Sequence, residues 1–318
     1  CIREKEEDIH EALYKDLHKS PEEAYLTETG IVLHELRHMI KHLPSYAKSK
    51  RVRTGLGQLP GKSFLSPEPY GVTLIMSPWN YPFQLTMVPL IGALAAGNCA
   101  VLKPSNDAKH TAGVITDIVQ SVFPPEYVTV VQGGRDENTQ LLAQRFDYIF
   151  FTGSVQVGKV VMQAAAGHLT PLTLELGGKS PVIVDETADL ALAARRIAFG
   201  KLLNAGQTCV APDYLLVQDS VREQLIAMLK QEITTMTGQA DALAHIVSDK
   251  HAARLRRLLA NETKVWGGET KGLRMHPALV ELDALDSPLM QEEIFGPILP
   301  VLSVRNLEEA IQVVKTFE

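Results

Sequence analysis

One cysteine stands at the end of Asn204-Ala-Gly-Gln-Thr-Cys209, after a run of small residues and ahead of an apolar stretch. A thiolate attacks carbonyl carbons once its pKa is lowered or a neighbouring base takes its proton. An unpaired cysteine is more commonly a small buried hydrophobe, and Cys99, inside the apolar Gly97-Asn-Cys-Ala-Val-Leu102 run, reads that way. The assignment of Cys209 therefore turns on its companions. Leu174-Glu-Leu-Gly-Gly-Lys179 sets Glu175 within an otherwise apolar strand pattern. Burial there would raise its pKa and let it shuttle protons near neutrality; pairing with Lys179 or facing solvent would not. Gly177 and Gly178 point to close approach of the backbone to a ligand or another strand.

Phe151-Thr-Gly-Ser154 ahead of a helical pattern leaves amide hydrogens free for an anion at a helix N-terminus. The spacing Gly153-Ser-Val-Gln-Val-Gly158 is neither G-x-G-x-x-G nor a P-loop, so it is a weak signal alone. His34-Glu-Leu-Arg-His38 matches the zinc-protease pattern H-E-x-x-H. On a helix, however, His34, His38 and His42 form one stripe, with Val32, Leu36, Met39, Ile40 and Leu43 roughly opposite. That stripe reads as a solvated face, with no companion ligand pattern, and zinc proteolysis through His34 and His38 is the remote alternative. No metal is expected.

The elements that must carry these residues begin with two helical stretches, one ending near His18 and one from Thr27 to about Leu43. Residues 51–68 turn to glycine and proline and suit an extended excursion or hairpin. From Gly71 the chain alternates: strands at 71–76, 99–103, 128–132 and 148–151, with helices at 83–96, 109–122, 139–144 and 154–166 between and after them. Short apolar strands alternating with helices mark a parallel sheet covered on both faces. Ligands of such sheets sit beyond the carboxyl ends of the strands, which singles out loops 77–80, 103–106, 133–135 and 152–154. A second alternating region follows, with strands at 172–178, 181–184, 214–218 and 298–304 and helices at 190–203, 221–235 and from Leu307, where the sequence stops mid-helix. Residues 241–280 are more polar and read as an insertion and return.

With 318 residues, two domains are expected. A formal charge of −6 and the lack of a basic tract exclude a polyanionic partner such as nucleic acid. Three scattered cysteines make a poor disulfide framework and favour a reducing compartment, hence the cytoplasm. No basic-then-apolar leader is visible. The most apolar window, Leu85 to Leu102, is interrupted by Pro89, Gly92, Gly97 and Asn98, so it reads as a buried helix and strand rather than a membrane span.

Taken together, Ser77-Pro-Trp-Asn-Tyr-Pro-Phe83, Leu102-Lys-Pro-Ser105, Leu174-Glu-Leu-Gly-Gly-Lys179, Gly206-Gln-Thr-Cys209 and Gln291-Glu-Glu-Ile-Phe-Gly-Pro297 resemble the aldehyde dehydrogenase superfamily, in family order. Ala164-Ala-Ala-Gly-His-Leu-Thr-Pro-Leu-Thr-Leu-Glu175 and Gln207-Thr-Cys-Val-Ala-Pro-Asp213 look most like the class 3 branch of fatty and aromatic aldehyde dehydrogenases. The resemblance implies an α/β fold of two Rossmann-like open parallel sheets covered by helices, incomplete at the C-terminus. It implies an NAD(P)-binding domain from 1–50 and 70–176, an oligomerisation hairpin at 51–69 and a catalytic domain at 177–318. Cys209 would add to the aldehyde, with the Asn80 amide and the Cys209 backbone amide as oxyanion hole. Hydride transfer to NAD or NADP would leave a thioester, hydrolysed by water that Glu175 activates. CoA-dependent relatives typically lack this glutamate. Lys103 matches the adenosine-ribose ligand, Gly153 and Ser154 the pyrophosphate loop, and Glu293 and Phe295 the nicotinamide-ribose contacts; Trp79 is grouped with the cofactor residues.

Two departures from the family stand out. Many NAD-preferring members carry a ribose-binding glutamate three residues after the lysine, where this chain has Asn106, an amide that would not repel a 2′-phosphate. Relative to the family, the sequence also lacks an N-terminal helix segment and the closing part of the catalytic domain. A homodimer would form through the 51–69 hairpin and the absent C-terminal strands. The alternative is a catalytically inactive aldehyde-dehydrogenase-like binding or scaffold protein.

Overall fold

A computed structural model describes residues 1–238 and 243–317. The chain divides into two compact units, Cys1–Ala12 with Ala24–Glu175, and Leu13–Glu23 with Leu176–Glu318.

The first unit holds most of helix α1 (Glu6–Leu17) and, from Ala24 on, the helical run that begins at α2 (Pro21–Ala24) and ends with α3 (Gly30–Tyr46). A two-stranded antiparallel hairpin follows, β1 (Lys50–Val52) with β2 (Ser63–Leu65), its strands almost wholly exposed. The sheet proper comprises β3 (Val72–Met76), β4 (Cys99–Lys103), β5 (Val128–Val130), β6 (Tyr148–Gly153) and β7 (Leu172–Leu176) in the order β5-β4-β3-β6-β7. Strands β5, β4, β3 and β6 pair in parallel. The order reverses direction beside β3, so the loops after β3 and β6 flank the switch point where open sheets bind ligands. Helices α4 (Gln84–Ala95), α5 (Lys109–Val122), α6 (Arg135–Leu142) and α7 (Val155–Ala166) connect or follow these strands. The sheet is anchored by the fully buried Leu74, Ile75 and Leu102, with Phe83, Leu90 and Ile115 buried from the helices. Each contributes about 1.5–3 kcal/mol by leaving water. The apolar window resolves into α4, which runs through Pro89 and Gly92, and β4, with the break at Gly97 and Asn98.

Helix α6 starts four residues before the expected 139. Its first turn is stabilised by the Glu137 carboxylate, which accepts a 2.6 Å bond from the Gly134 N–H. Propensity along a polar stretch does not reveal such a cap.

The second unit is built on β8 (Pro181–Val184), β9 (Tyr214–Gln218), β10 (Val265–Gly267), β13 (Ala278–Leu282) and β14 (Ile298–Val304), ordered β10-β13-β14-β9-β8. All neighbours are parallel except the edge strand β10. A two-stranded ribbon, β11 (Thr270–Lys271) with β12 (Arg274–Met275), lies between β10 and β13 in sequence. Helices α8 (Leu190–Leu202), α9 (Arg222–Thr237), α10 (Asp249–Leu259), α11 (Pro288–Gln291) and α12 (Leu307–Val314) complete the unit. The stretch read as an insertion thus contains β10, the β11–β12 ribbon and the first three residues of β13, a strand whose Ala278, Leu279, Val280 and Leu282 are buried. Polar flanks hid this strand, and its place inside the sheet, parallel to β14 and antiparallel to the edge strand β10, is what buries it. Asp241, where that stretch began, and the final residue, Glu318, lie outside the described residues.

Residues 13–23, read above with the first 50, belong to the second unit for visible reasons. The His18 ring stacks on His245 at 3.9 Å, Leu17 O accepts from the His245 N–H, and the Glu23 carboxylate accepts from the Asn204 N–H.

Candidate active site

In the first unit the residues singled out by sequence sit on loops at the carboxyl ends of strands. Trp79 and Asn80 follow β3; Asn80 is buried and Trp79 half-buried. Lys103 ends β4 with only 3% of its surface exposed. Two of its three N–H groups donate, at 2.9 Å to Pro104 O and 2.7 Å to Gly133 O, which ties loop 103–106 to loop 133–135. Burial pulls its pKa down, opposed by the Glu137 carboxylate. Asn106 is exposed and opens a short helical turn capped by the Ser105 hydroxyl. Gly153 ends β6 directly over Phe151, where an added Cβ would lie 2.5 Å from the ring. Only glycine permits that approach. Ser154 caps α7, its Oγ accepting from the Val157 N–H at 3.4 Å. Between Phe151 and Gly153, the Thr152 Oγ1 is buried without a hydrogen-bond partner among the described residues. A glycine cradle, an orphaned hydroxyl and the first amides of a 12-residue helix are donors of the kind a dinucleotide pyrophosphate accepts.

Glu175 lies on β7 and is exposed. Of the placements its sequence left open, solvent exposure is the one its position near the end of the strand gives it.

In the second unit the residues precede strands rather than follow them. The loop from Asn204 to Cys209 leads into β9, and three consecutive residues in it have left-handed backbone: Asn204 (φ 52°), Ala205 (φ 51°) and Gly206 (φ 71°). For Asn204 and Ala205 this costs on the order of 1–3 kcal/mol each and persists only when surroundings over-determine it. They do. Asn204 N–H donates to Glu23 Oε1 at 2.6 Å, and Gln207 Nε2 donates to Asn204 O and His245 O at 3.0 and 2.9 Å. Gln207 Oε1 in turn accepts from the Val247 N–H at 3.0 Å. At Gly206 a Cβ would fall 2.3 Å from Gly296 O, so the loop before β9 presses on the loop before β14. Cys209 is half-buried and in no disulfide; its carbonyl accepts from the Ser180 hydroxyl at 3.5 Å.

Sequence reasoning missed the group that holds these loops together. Lys179 forms a short, buried ion pair with Asp213 and donates to Leu289 O at 2.6 Å and Glu292 O at 3.0 Å. Asp213 Oδ1 accepts from the Ile294 N–H at 2.9 Å. Three loops, before β8, β9 and β14, are thus stitched by one pair. The signal in the sequence was a lysine and an aspartate flanking apolar strands, 34 residues apart. Glu293 packs its carboxylate on the Gly177–Gly178 turn, where a Cβ at Gly177 would lie 2.0 Å from Glu293 Oε2. The two glycines thus receive a side chain of the same unit. Burial pushes the Glu293 carboxyl up to about 7, moderated by the Gly178 N–H. Phe295 has left-handed backbone too, at φ 49°. Lys201 is buried, donates to Pro212 O at 2.8 Å, and is pushed by burial down to about 8.

The histidines of the H-E-x-x-H stretch lie on α3. His34 and His38 are exposed; His38 Nε2 bonds Tyr46 Oη at 3.1 Å, and His42 Nδ1 is 2.8 Å from His38 O. Among the described residues no group of three or more His, Cys, Asp or Glu is arranged to hold a metal ion.

Residues 1–317 match the aldehyde dehydrogenase family along their length. The chain belongs to that family. Its relatives include the 4,4'-diaponeurosporen-aldehyde dehydrogenase of Staphylococcus aureus, 49% identical over 98% of this chain and 70% of the relative. Aldehyde dehydrogenase family 3 member B1 of Mus musculus is 45% identical over 98% of this chain and 68% of its own. The dimeric NADP-preferring aldehyde dehydrogenase of Canis lupus familiaris is 42% identical over 100% and 71%. Among solved structures, the substrate-bound Staphylococcus aureus AldH superposes with a TM-score of 0.97 at 47% identity, covering 99% of this chain and 71% of that one. The Mycobacterium tuberculosis aldehyde dehydrogenase complexed with NAD+ gives 0.90 at 28% identity, covering 98% and 67%. This aldehyde dehydrogenase is therefore an oxidoreductase acting on aldehydes, on the class 3 side of the family, with the α/β fold the sequence implied.

Proposed function

We propose that the chain oxidises aldehydes to carboxylic acids with NAD+ or NADP+, through a thioester on Cys209. The Cys209 sulfur adds to the carbonyl carbon. The Asn80 amide and the Cys209 backbone N–H donate to the developing oxyanion, and such a donor is worth about 10²–10³ in rate. A nicotinamide cofactor, when bound, supplies the hydride acceptor. Glu175, open to solvent, takes a proton from the water that cleaves the thioester. Lys103, Asn106, Gly153, Ser154, Trp79, Glu293 and Phe295 hold the cofactor, with residues 1–50 and 70–176 as the cofactor-binding part and 177–318 as the part bearing the nucleophile. The observation that carries this reading is the loop ahead of Cys209, whose strained left-handed run is fixed by Glu23 and Gln207. Strain so held is characteristic of active sites, not of inert thiols.

The test is NAD(P)H formation with aliphatic and aromatic aldehydes by the native chain and Cys209→Ala. Equal rates would remove the mechanism. Glu175→Gln should give a burst of NAD(P)H without turnover; steady turnover at the native rate would take Glu175 out of the role of base. Asn106 supports use of NADP, and Asn106→Glu should shift the ratio of catalytic efficiencies toward NAD. The Canis lupus familiaris relative is named as NADP-preferring.

The same reading makes the protein a cytoplasmic homodimer joined through the 51–69 hairpin, which exposes Leu56, Leu59, Phe64 and Leu65. A dimeric relative supports it, and no described helix is long and apolar enough to cross a membrane. Light scattering on the native chain and Phe64→Glu measures it; equal masses for both would count against the hairpin.

A further inference from the structure

The described part of the helical run from Pro21 to Tyr46 is not uniform. Between α2 and α3 the five residues Tyr25–Thr29 form a wider turn, closed by the Gly30 N–H on Tyr25 O. A Cβ at Gly30 would lie 2.6 Å from that same oxygen, so the turn needs glycine there. Wide turns of this kind recur at functional sites. This one places three consecutive polar residues, Thr27, Glu28 and Thr29, in the interior, with Glu28 fully buried.

The Glu28 carboxylate has a definite task. Its Oε2 accepts from the Phe83 N–H at 3.0 Å and from the Gln84 N–H at 2.8 Å, the amides at the start of α4. These belong to the first turn of a helix, which has no acceptor of its own, and a carboxylate there gains both charge-assisted bonds and the helix dipole. Asn80 stands three residues before Phe83. At the loop's entry, Ser77 N–H donates to Lys103 O at 3.2 Å, and Ser77 Oγ lies 2.5 Å from Thr86 Oγ1, which bonds Pro82 O at 2.6 Å. The entry is thus held by the sheet and the exit by Glu28.

We propose that Glu28 is a positioning residue for the reaction: by clamping the Phe83 and Gln84 amides it fixes the loop that presents Asn80 to the oxyanion. This rests on the oxyanion role given to Asn80 above. A misplacement of about 1 Å in such a donor is enough to cost about 10²-fold in rate.

A double-mutant cycle in the full chain tests it, with Asn80→Ala, Glu28→Gln and the double variant assayed for kcat, aldehyde KM and cofactor affinity. Glu28→Gln should lower kcat by about ten-fold or more with cofactor affinity unchanged. In the Asn80→Ala background the same change should cost less than about two-fold, because the group it positions is gone. Equal losses in both backgrounds, or a folded Glu28→Gln with native kcat, would overturn the proposal. Glu28→Asp carries the same cycle should Glu28→Gln not fold. A silent Asn80→Ala would instead remove the oxyanion reading itself, whereas a costly Asn80→Ala with additive Glu28→Gln removes only the part given to Glu28.

Discussion

The first sheet offers Trp79, Asn80, Lys103, Gly153 and Ser154 from loops that follow its strands, while the second offers Cys209, Glu293 and Phe295 from loops that precede them. The difference lies in what fixes each set. Behind the first set stand the strand order and the starts of helices: the reversal beside β3 opens a crevice, and helix N-termini turn their amides to it. No such rule serves the amino ends of strands. There the loops before β8, β9 and β14 are drawn together by the buried Lys179–Asp213 pair and by close packing at Gly206 and Gly177. Topology organises the candidate residues of the first unit, and side-chain chemistry those of the second.

Removing the ion of the second half should have the largest effect. Lys179→Met leaves Asp213 buried without its partner, and stability should fall by about 3–5 kcal/mol. The chain's two tryptophans, Trp79 and Trp266, fall one in each unit, so denaturation followed in Trp79→Phe and Trp266→Phe backgrounds reports each unit separately. Loss confined to the Trp266 signal is expected; equal loss in both would break the distinction.

Next comes Gly153→Ala, which forces a Cβ against the Phe151 ring and should cost about 1–3 kcal/mol. Cofactor affinity, measured by quenching of protein fluorescence, should drop, while alkylation of Cys209 by iodoacetamide keeps its native rate. A slowed alkylation would mean the halves are not independent. Ser154→Ala, which removes the cap of α7, should be milder, about 1 kcal/mol.

The smallest effect is one of slope. Burial raises the Glu293 carboxyl from 4.5 to about 7, so the native state holds this proton more tightly than the unfolded chain. Its contribution to stability is fully present below 4.5 and is lost as pH rises through about 7. Thermal midpoints of the native chain and Glu293→Gln at pH 5 and pH 8 should therefore differ less in the variant; identical pH dependence would contradict the assignment.

Residues 71–166 were legible from sequence because each short apolar strand is bounded by glycine or proline and followed by a helical period. Strand β13 was not, since five residues of Ala278-Leu-Val-Glu-Leu282 amid polar sequence carry too little pattern to separate a central strand from a loop. Glu28 escaped notice because a charged residue in an amphipathic helix ordinarily faces solvent, and only the wide turn at Tyr25–Thr29 brings it inside. For Glu175 the apolar neighbours along the chain left burial and exposure both open, and its place near the end of β7 decides for exposure.

By itself the sequence determined the alternation of strands and helices, the glycine cradle at Gly153 and the thiol at Cys209, because propensity, periodicity and reactive residue types act locally. Only the tertiary structure decided that the candidate residues of the second sheet lie at the amino ends of its strands, and which buried charges hold the loops there. Lys179 with Asp213, and Glu28 with the amides of Phe83 and Gln84, are contacts between groups 34 to 56 residues apart. Their strength comes from burial, and burial is a property of the packed chain that no local stretch of it possesses.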